Sequence, residues 1–272
     1  MDRAIIIGTF KFLGFHFCRS LLEQGFEVIG IRFDHDEKDS YINDKRMEIE
    51  RNANFYEESL SNWLSKGEIN DQTFLIFDHY DILETNQKEC FDGDHSIEEY
   101  IIKNKMVKND SRMISLFSIQ SFLQMNETEK RILQRMNNLR VFLPTIYGPW
   151  QPSPFLFQQY LLKTIDPDHQ ISLNEQEWIH DTLYIDDIVD PILNLAKSSL
   201  GESYILKSDI TNHWKKCADY LSIPANVIEK NLCKNPADTW ELNTKLVKSK
   251  TLFSKGIDTQ KRHLKLLHEG RI

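Results

Sequence analysis

The 272-residue sequence predicts an α/β fold, a doubly wound parallel sheet with a small C-terminal lobe. Three observations carry the prediction. An apolar run, Ala4–Ile7, passes through a glycine-bearing turn and a helical pattern into a second apolar run, Val28–Ile31. Short apolar runs then keep alternating with helical periodicity. The runs themselves are continuously apolar, as strands covered on both faces require.

Taken in order, Ala4–Ile7 is the first strand and Gly8 ends it. From Phe15 the pattern is helical, with Phe17, Cys18, Leu21 and Leu22 on one face and Arg19, Glu23 and Gln24 on the other. Gly25 follows as the residue that terminates the helix, and Val28–Ile31 returns as a strand. Further strands are predicted at Thr73–Phe77, Arg112–Phe117 and Leu139–Leu143. Helices are predicted over 96–108, with Ile97, Ile101 and Ile102 inward, and over 128–136, with Ile132, Leu133 and Met136 inward. A helix over 190–200, through Ile192, Leu193, Leu195 and Ala196, leads to a strand at Tyr204–Leu206. Pro149, Pro152 and Pro154 interrupt the alternation. The domain reading is therefore a dinucleotide-binding-type domain over 1–148 and a mixed substrate lobe over 149–272, with 180–210 returning to the sheet.

Composition narrows the function. Hydrophobic residues make up 40% and charged residues 27%, ordinary values for a soluble globular chain, and no apolar run is long enough to span a bilayer. Met1-Asp2-Arg3 leads straight into the first strand without a signal-peptide pattern, so a cytoplasmic protein is expected. The formal net charge of −8 argues against nucleic acid as a partner, although 245–272 holds eight Lys/Arg against two Asp/Glu and reads as a solvated basic tail. The four cysteines are scattered, with no metal or redox spacing; Cys18 and Cys217 read as buried thiols.

The turn carries the first chemistry. Backbone N–H groups at a helix N-terminus suit a pyrophosphate, and the usual pattern has a first glycine for the tight turn, a middle one for close approach and a last one for helix packing. Gly8 and Gly14 stand in the first and last places, with Phe10, Lys11, Phe12 and Leu13 between them. Lys11 in the middle place admits two readings. Its side chain leaves the turn and contacts phosphate, or its bulk closes the site. At the end of the second strand, where an acid would read the adenosine ribose of NAD, the chain has Arg32, with Asp34 two residues on. Arg32 suits the 2′-phosphate of NADP; the alternative is an exposed strand-end arginine. Asp78-His79-Tyr80 places bulky polar residues at a strand end where a flat cofactor needs clearance.

Gly8 through Phe12-Leu13-Gly14 resembles the T-G-x-x-G-F-I-G segment of the extended short-chain dehydrogenase/reductases, the NAD-dependent epimerase/dehydratase-like proteins. Pro144-Thr145-Ile146-Tyr147-Gly148-Pro149, the stretch His180–Val189 and Gly201–Leu206 resemble later motifs of that family in the same order. Together the likeness spans roughly 3–35 and 110–210. It implies the Rossmann fold, NAD or NADP as cofactor, a nucleotide sugar or similar small molecule as substrate, and a homodimer formed through helices such as 128–136, with Met125, Leu133 and Met136 at the interface. It also implies a Ser/Thr–Tyr–Lys machine, with Tyr four residues before Lys on one helix face.

Measured against that machine the chain departs. Lys130 stands at the lysine place, able to bind cofactor ribose, but Asn126 replaces the tyrosine, and an amide transfers no proton near neutrality. Ser118 and Ser121 are the hydroxyls left to orient a carbonyl, while Gln120 stands where the catalytic Ser or Thr is expected. Tyr147 is a substitute acid from a different motif, and Asp186 or Asp187 is expected to cap the helix that follows. Two functions remain open: an NAD(P)-dependent epimerase, dehydratase or reductase, or a pseudoenzyme retained as a ligand sensor or partner subunit.

Overall fold

A computed structural model describes residues 3–33, 41–66, 69, 73–80, 111–125, 138–172, 177–199, 201–230 and 242–270. The chain divides into two compact units, 1–116 with 136–140 and 195–201, and 117–135 with 141–194 and 202–272. The predicted helices over 96–108 and 128–136, and Asp34, Asn126 and Lys130, lie outside the described residues.

The first unit opens with β1 (Arg3–Ile7), α1 (Phe12–Glu23) and β2 (Glu27–Arg32), then α2 (Ile42–Ile49), β3 (Phe55–Ser59), α3 (Leu60–Lys66), β4 (Thr73–Asp78) and β5 (Arg112–Ser118). The rest of the chain contributes α4 (Ile119–Gln124), β6 (Leu139–Leu143), β7 (Thr145–Tyr147), α5 (Leu156–Ile165), β8 (Thr182–Tyr184), α6 (Val189–Ser198), β9 (Ser203–Ser208), α7 (His213–Tyr220), α8 (Ala225–Lys230), β10 (Asn243–Val247) and α9 (Phe253–His268). The main sheet runs β10-β9-β6-β5-β4-β1-β2-β3, and β7 pairs with β8 in a separate ribbon. The β1–β2, β1–β4, β2–β3, β4–β5 and β9–β10 pairings are all parallel. The order reverses at β1 and β4, the place where ligands sit in doubly wound sheets.

β1 and β4 form the middle of the first unit. Ala4, Ile5, Ile6, Phe74, Leu75 and Ile76 are fully buried, which is why their runs carry no polar alternation. On one face Ile5, Ile7, Ile31, Phe33, Leu75 and Phe77 pack with Trp63 of α3. α1 begins at Phe12, three residues before its periodicity becomes legible, and Gly25 follows it at φ +83°. Cys18 and Cys217 are buried free thiols.

The second unit has its own core. Phe117, Ile119, Phe142, Trp178 and Ile205 cluster, and Met125 packs half-buried against them. Gln260 of α9 donates to both Gln151 Oε1 (2.7 Å) and Gln158 Oε1 (2.8 Å) and accepts from Gly148 N–H (3.0 Å). The basic segment forms β10 and α9, and α9 buries Gly256, Ile257, Gln260 and Leu264 along one face, while its described lysines and arginines are exposed, as expected of solvated charges. Two of those four are not hydrophobic, which hid the periodicity. The expected role of Asp187 is corrected. The bonds described for its carboxylate run not to α6 but to Lys250 N–H (3.2 Å), Thr251 N–H (3.3 Å) and Thr251 Oγ1 (3.3 Å), just before α9. Among the described residues no helix is long and apolar enough to cross a membrane.

Candidate functional site

The turn between β1 and α1 is built from both strands beside it. Gly8 leaves β1 at φ +89°, a backbone that favours glycine, and the N–H groups of Gly8 and Thr9 both donate to Ile31 O (2.9 and 3.2 Å). Thr9 Oγ1 donates back to Ile6 O (2.7 Å). At Gly14 a Cβ would stand 2.1 Å from Gly8 O, so the last glycine is fixed by close approach of two backbones. Gly30 of β2, which carries no signal in the sequence, leaves the space Thr9 fills; a Cβ there would lie 2.8 Å from Thr9 Cγ2.

Lys11 needs no special backbone. It is extended, with φ −71° and ψ 169°, and stands as the N-cap residue of α1, its N–H donating to Gly8 O at 2.9 Å. Its stem lies back over the first glycine, where Lys11 Cγ would be 3.4 Å from a Cβ at Gly8 and Asp78 Cβ 3.3 Å. The ammonium sits 5.9 Å from the Phe33 ring centre. The middle position of the turn therefore holds a lysine without strain, with its stem buried.

Asp78 does not block the sheet end as a passive bulk. It turns into the helix N-terminus, where Oδ2 accepts from Gly14 N–H at 2.7 Å while Oδ1 accepts from Tyr80 N–H at 3.1 Å. Gly14 is the third residue of α1, so its N–H has no partner within the helix, and the partial positive charge there favours a carboxylate. His79 stacks on Phe77 with ring centres 5.9 Å apart, and Tyr80 is buried.

Cations surround this turn. Lys45 of α2 is buried and donates to Phe10 O at 2.7 Å. Arg46, the next residue, holds Glu57 of β3 with two bonds (Nε–Oε2 2.7 Å, Nη2–Oε1 2.8 Å) and places its guanidinium 5.3 Å from the Phe10 ring centre. Arg32, at the end of β2, reaches the same carboxylate, Nε to Oε1 at 3.2 Å. Neither Lys45 nor Arg46 was visible as a site residue in the sequence, because α2 carries no strong apolar stripe and its partner strand contact is non-local.

The hydroxyls expected to do chemistry are engaged in structure. Ser118 is the N-cap of α4: its Oγ accepts from Ser121 N–H at 3.1 Å and shares a 2.6 Å bond with Ser121 Oγ. Both serines and Gln120 are buried. Tyr147 is fully buried between Tyr184, Phe157 and His213, and burial pushes its hydroxyl far above the usual phenol range, so it stays protonated.

The second unit holds a cavity of about 260 Å³ lined by apolar residues that include Trp178 and Ile205 and by the polar residues His180, Asp181, Lys207, Ser208 and Asn212. Asp181 Oδ1 accepts from Thr182 N–H and Oδ2 from Ser208 N–H, both at 2.8 Å. Burial nevertheless pushes its carboxyl up to about 6, against those two bonds. Ser208 Oγ shares a 2.8 Å bond with His213 Nδ1, and burial pushes His213 down to about 4, so the imidazole is neutral at physiological pH. Among the described residues no cluster of His, Cys, Asp or Glu could hold a metal ion.

No family model matches the sequence, and no curated protein matches it by sequence. Solved structures do match the fold. UDP-glucuronic acid 4-epimerase from Bacillus cereus, in complex with NAD, superposes with a TM-score of 0.65 at 12% identity over 98% of this chain and 99% of its own. dTDP-glucose 4,6-dehydratase from Bacillus anthracis, also with NAD, gives 0.62 at 10% identity over 99% and 98%. An NAD-dependent NDP-hexosamine 5,6-dehydratase of tunicamycin biosynthesis gives 0.60 at 12% over 97% and 98%. At these identities the likeness establishes architecture alone: the chain shares its fold with these three structures.

Proposed function

We propose that the chain binds a nicotinamide dinucleotide on the 8–14 turn and acts as an NAD(P)-dependent epimerase, dehydratase or reductase on a nucleotide sugar or similarly hydroxylated small molecule. The observation that supports it most is the turn itself. Gly8 turns the chain at positive φ, Gly14 lets the helix start pack on Gly8 O, and Lys11 fits between them unstrained, a backbone that suits a pyrophosphate. The residues present fit the group in charge as well. Among the described residues, Lys11, Lys45, Arg32 and Arg46 lie at or beside the turn and supply cations for a pyrophosphate. Arg32 would read the 2′-phosphate, which makes NADP the expected form. A bound nicotinamide would supply hydride transfer at its C4. The cavity of the second unit would take part of the substrate, with Trp178 under an apolar or planar group and His180, Lys207 and Asn212 toward its polar groups.

The serine pair supports a second reading. Ser118 and Ser121 are bonded to each other and to the start of α4, and Tyr147 is sequestered, so no described hydroxyl among the expected catalytic residues is poised for proton transfer. In that reading the fold binds its ligands without turnover. Calorimetric titration with NAD, NADH, NADP and NADPH tests the first reading, followed by incubation of the loaded protein with UDP- and dTDP-hexoses. Micromolar binding with conversion of a sugar nucleotide supports the enzyme, binding without conversion supports the second reading, and no binding at millimolar dinucleotide overturns the first.

A further inference from the structure

The cavity of the second unit has a hydroxyl and an imidazole paired at its lining. Ser208 lines it and is the last residue of β9, at the carboxyl end of a parallel strand, where α/β sheets place ligands. It is half-buried; its Oγ lies 2.8 Å from His213 Nδ1 and accepts from Ile210 N–H at 3.0 Å. The imidazole is held in place. His213 is the buried first residue of α7, the Thr182 backbone bonds its ring, and Tyr147 Oη lies 3.5 Å from Nε2. Asp181 ties the two sides together, because its carboxylate accepts from Ser208 N–H and from Thr182 N–H, both at 2.8 Å. Burial keeps the ring neutral at physiological pH, the form that takes up a proton. A hydroxyl bonded to a fixed, neutral imidazole beside a cavity is the arrangement that nucleophilic catalysis requires.

We propose that Ser208 and His213 are a nucleophile and its base, and that they hydrolyse a carboxylic ester held in the cavity. His213 carries its hydrogen on Nε2, so Nδ1 accepts from Ser208 Oγ. Oγ bonds the ester carbonyl carbon as its hydrogen passes to Nδ1. The bond from that carbon to the alkoxy oxygen then breaks, and the alcohol leaves with the hydrogen from Nδ1. Water adds to the acyl-serine by the same route, releasing the carboxylic acid and restoring both side chains. Lys207 and Asn212 line the same cavity, and Asn212 is the N-cap residue of α7, so a cation and the positive end of a helix are at hand for the developing oxyanion. Trp178, Ile205 and Leu246 suit an apolar acyl or aryl group. All of these residues belong to the second unit, so the proposal goes beyond the dinucleotide reading and stands without it.

The test incubates the full chain with a fluorophosphonate, maps the adduct by peptide mass spectrometry, and follows hydrolysis of p-nitrophenyl acetate and butyrate. Wild type, Ser208→Ala and His213→Gln are compared, with melting curves to confirm folding. The adduct is expected on Ser208, and both variants are expected to lose hydrolysis by about a hundredfold or more, the contribution of a positioned base. An adduct on another residue, or none, overturns the proposal. So does a folded Ser208→Ala that hydrolyses the esters as fast as wild type, or a folded His213→Gln that is labelled on Ser208 at the wild-type rate. Should either variant melt early, the adduct map of the wild-type chain decides alone.

Discussion

Asp78→Asn should weaken the fold and strengthen dinucleotide binding, two effects of opposite sign from one charge. The carboxylate is 1% exposed and takes Gly14 N–H at 2.7 Å and Tyr80 N–H at 3.1 Å. A hydrogen bond to a charged group contributes about 1.5–3 kcal/mol, and a carboxylate at a partly buried helix N-terminus up to about 2 kcal/mol more. An amide keeps one acceptor, for Gly14, but turns its own NH2 toward the Tyr80 N–H, donor against donor. The first unit is therefore expected to lose about 2–4 kcal/mol. The same charge would stand near the pyrophosphate. Two unit charges about 6 Å apart interact by about 3 kcal/mol at an effective dielectric constant near 20. Screening by Lys11 and Lys45 reduces that, and a gain in NADP affinity on the order of tenfold is expected. Urea unfolding of the ligand-free protein, followed through the buried Trp63 of the first unit, reads the first effect; calorimetry reads the second. A variant as stable as wild type would mean that the Gly14 bond contributes nothing. A variant that loses stability and affinity together would make Asp78 part of the phosphate site rather than its internal competitor.

Two further predictions concern the glycines and the cavity. Gly14→Ala drives a Cβ to 2.1 Å from the Gly8 carbonyl oxygen, backbone against backbone, and should cost more than about 3 kcal/mol, whereas Gly30→Ala presses only on the side chains of Thr9 and Phe55 and should cost about 1–3 kcal/mol; urea midpoints rank them. In acid, His213 and Asp181 act with opposite signs. His213, held near 4 in the folded chain, lets the unfolded chain take its proton first, so stability falls as pH drops from about 6.5 to 4. Asp181, held near 6, takes its proton first in the folded chain, so stability rises as pH drops from about 6 to the ordinary carboxylate range. Each contributes about 3 kcal/mol, so they nearly cancel; His213→Gln should gain stability on acidification and Asp181→Asn should lose it, and variants that both follow the wild-type curve would refute the two shifts.

How much of this was legible in the sequence depends on where each element draws its stability. β1, β4, β5 and β6 are covered on both faces, so continuous apolar runs announced them, and Gly8 and Gly14 announced the turn between strand and helix. α2, β3 and α3 left no such mark. β3 reads Phe-Tyr-Glu-Glu-Ser and lies at the sheet edge with no residue fully buried, so its place follows from pairing with β2 rather than from its own composition. α9 is hidden for a related reason, since a glycine and a glutamine occupy half of its buried face, the glycine because a Cβ would press on Tyr147 and Tyr184 and the glutamine because it bonds Gln151 and Gln158. The candidate site divides along the same line. Arg32 stood out by its place at the end of the second strand, though its pairing with Glu57 did not, and Asp78 was legible as a departure, though not as a cap. Lys45, Arg46 and Glu57 were not, because their roles are created by contacts across 11 to 35 residues of chain that no local pattern records. The charged residues that sequence reading misses here, Lys45, Arg46 and Glu57, are those whose partners are set by topology, since a charge carries no local pattern that says which strand it will meet.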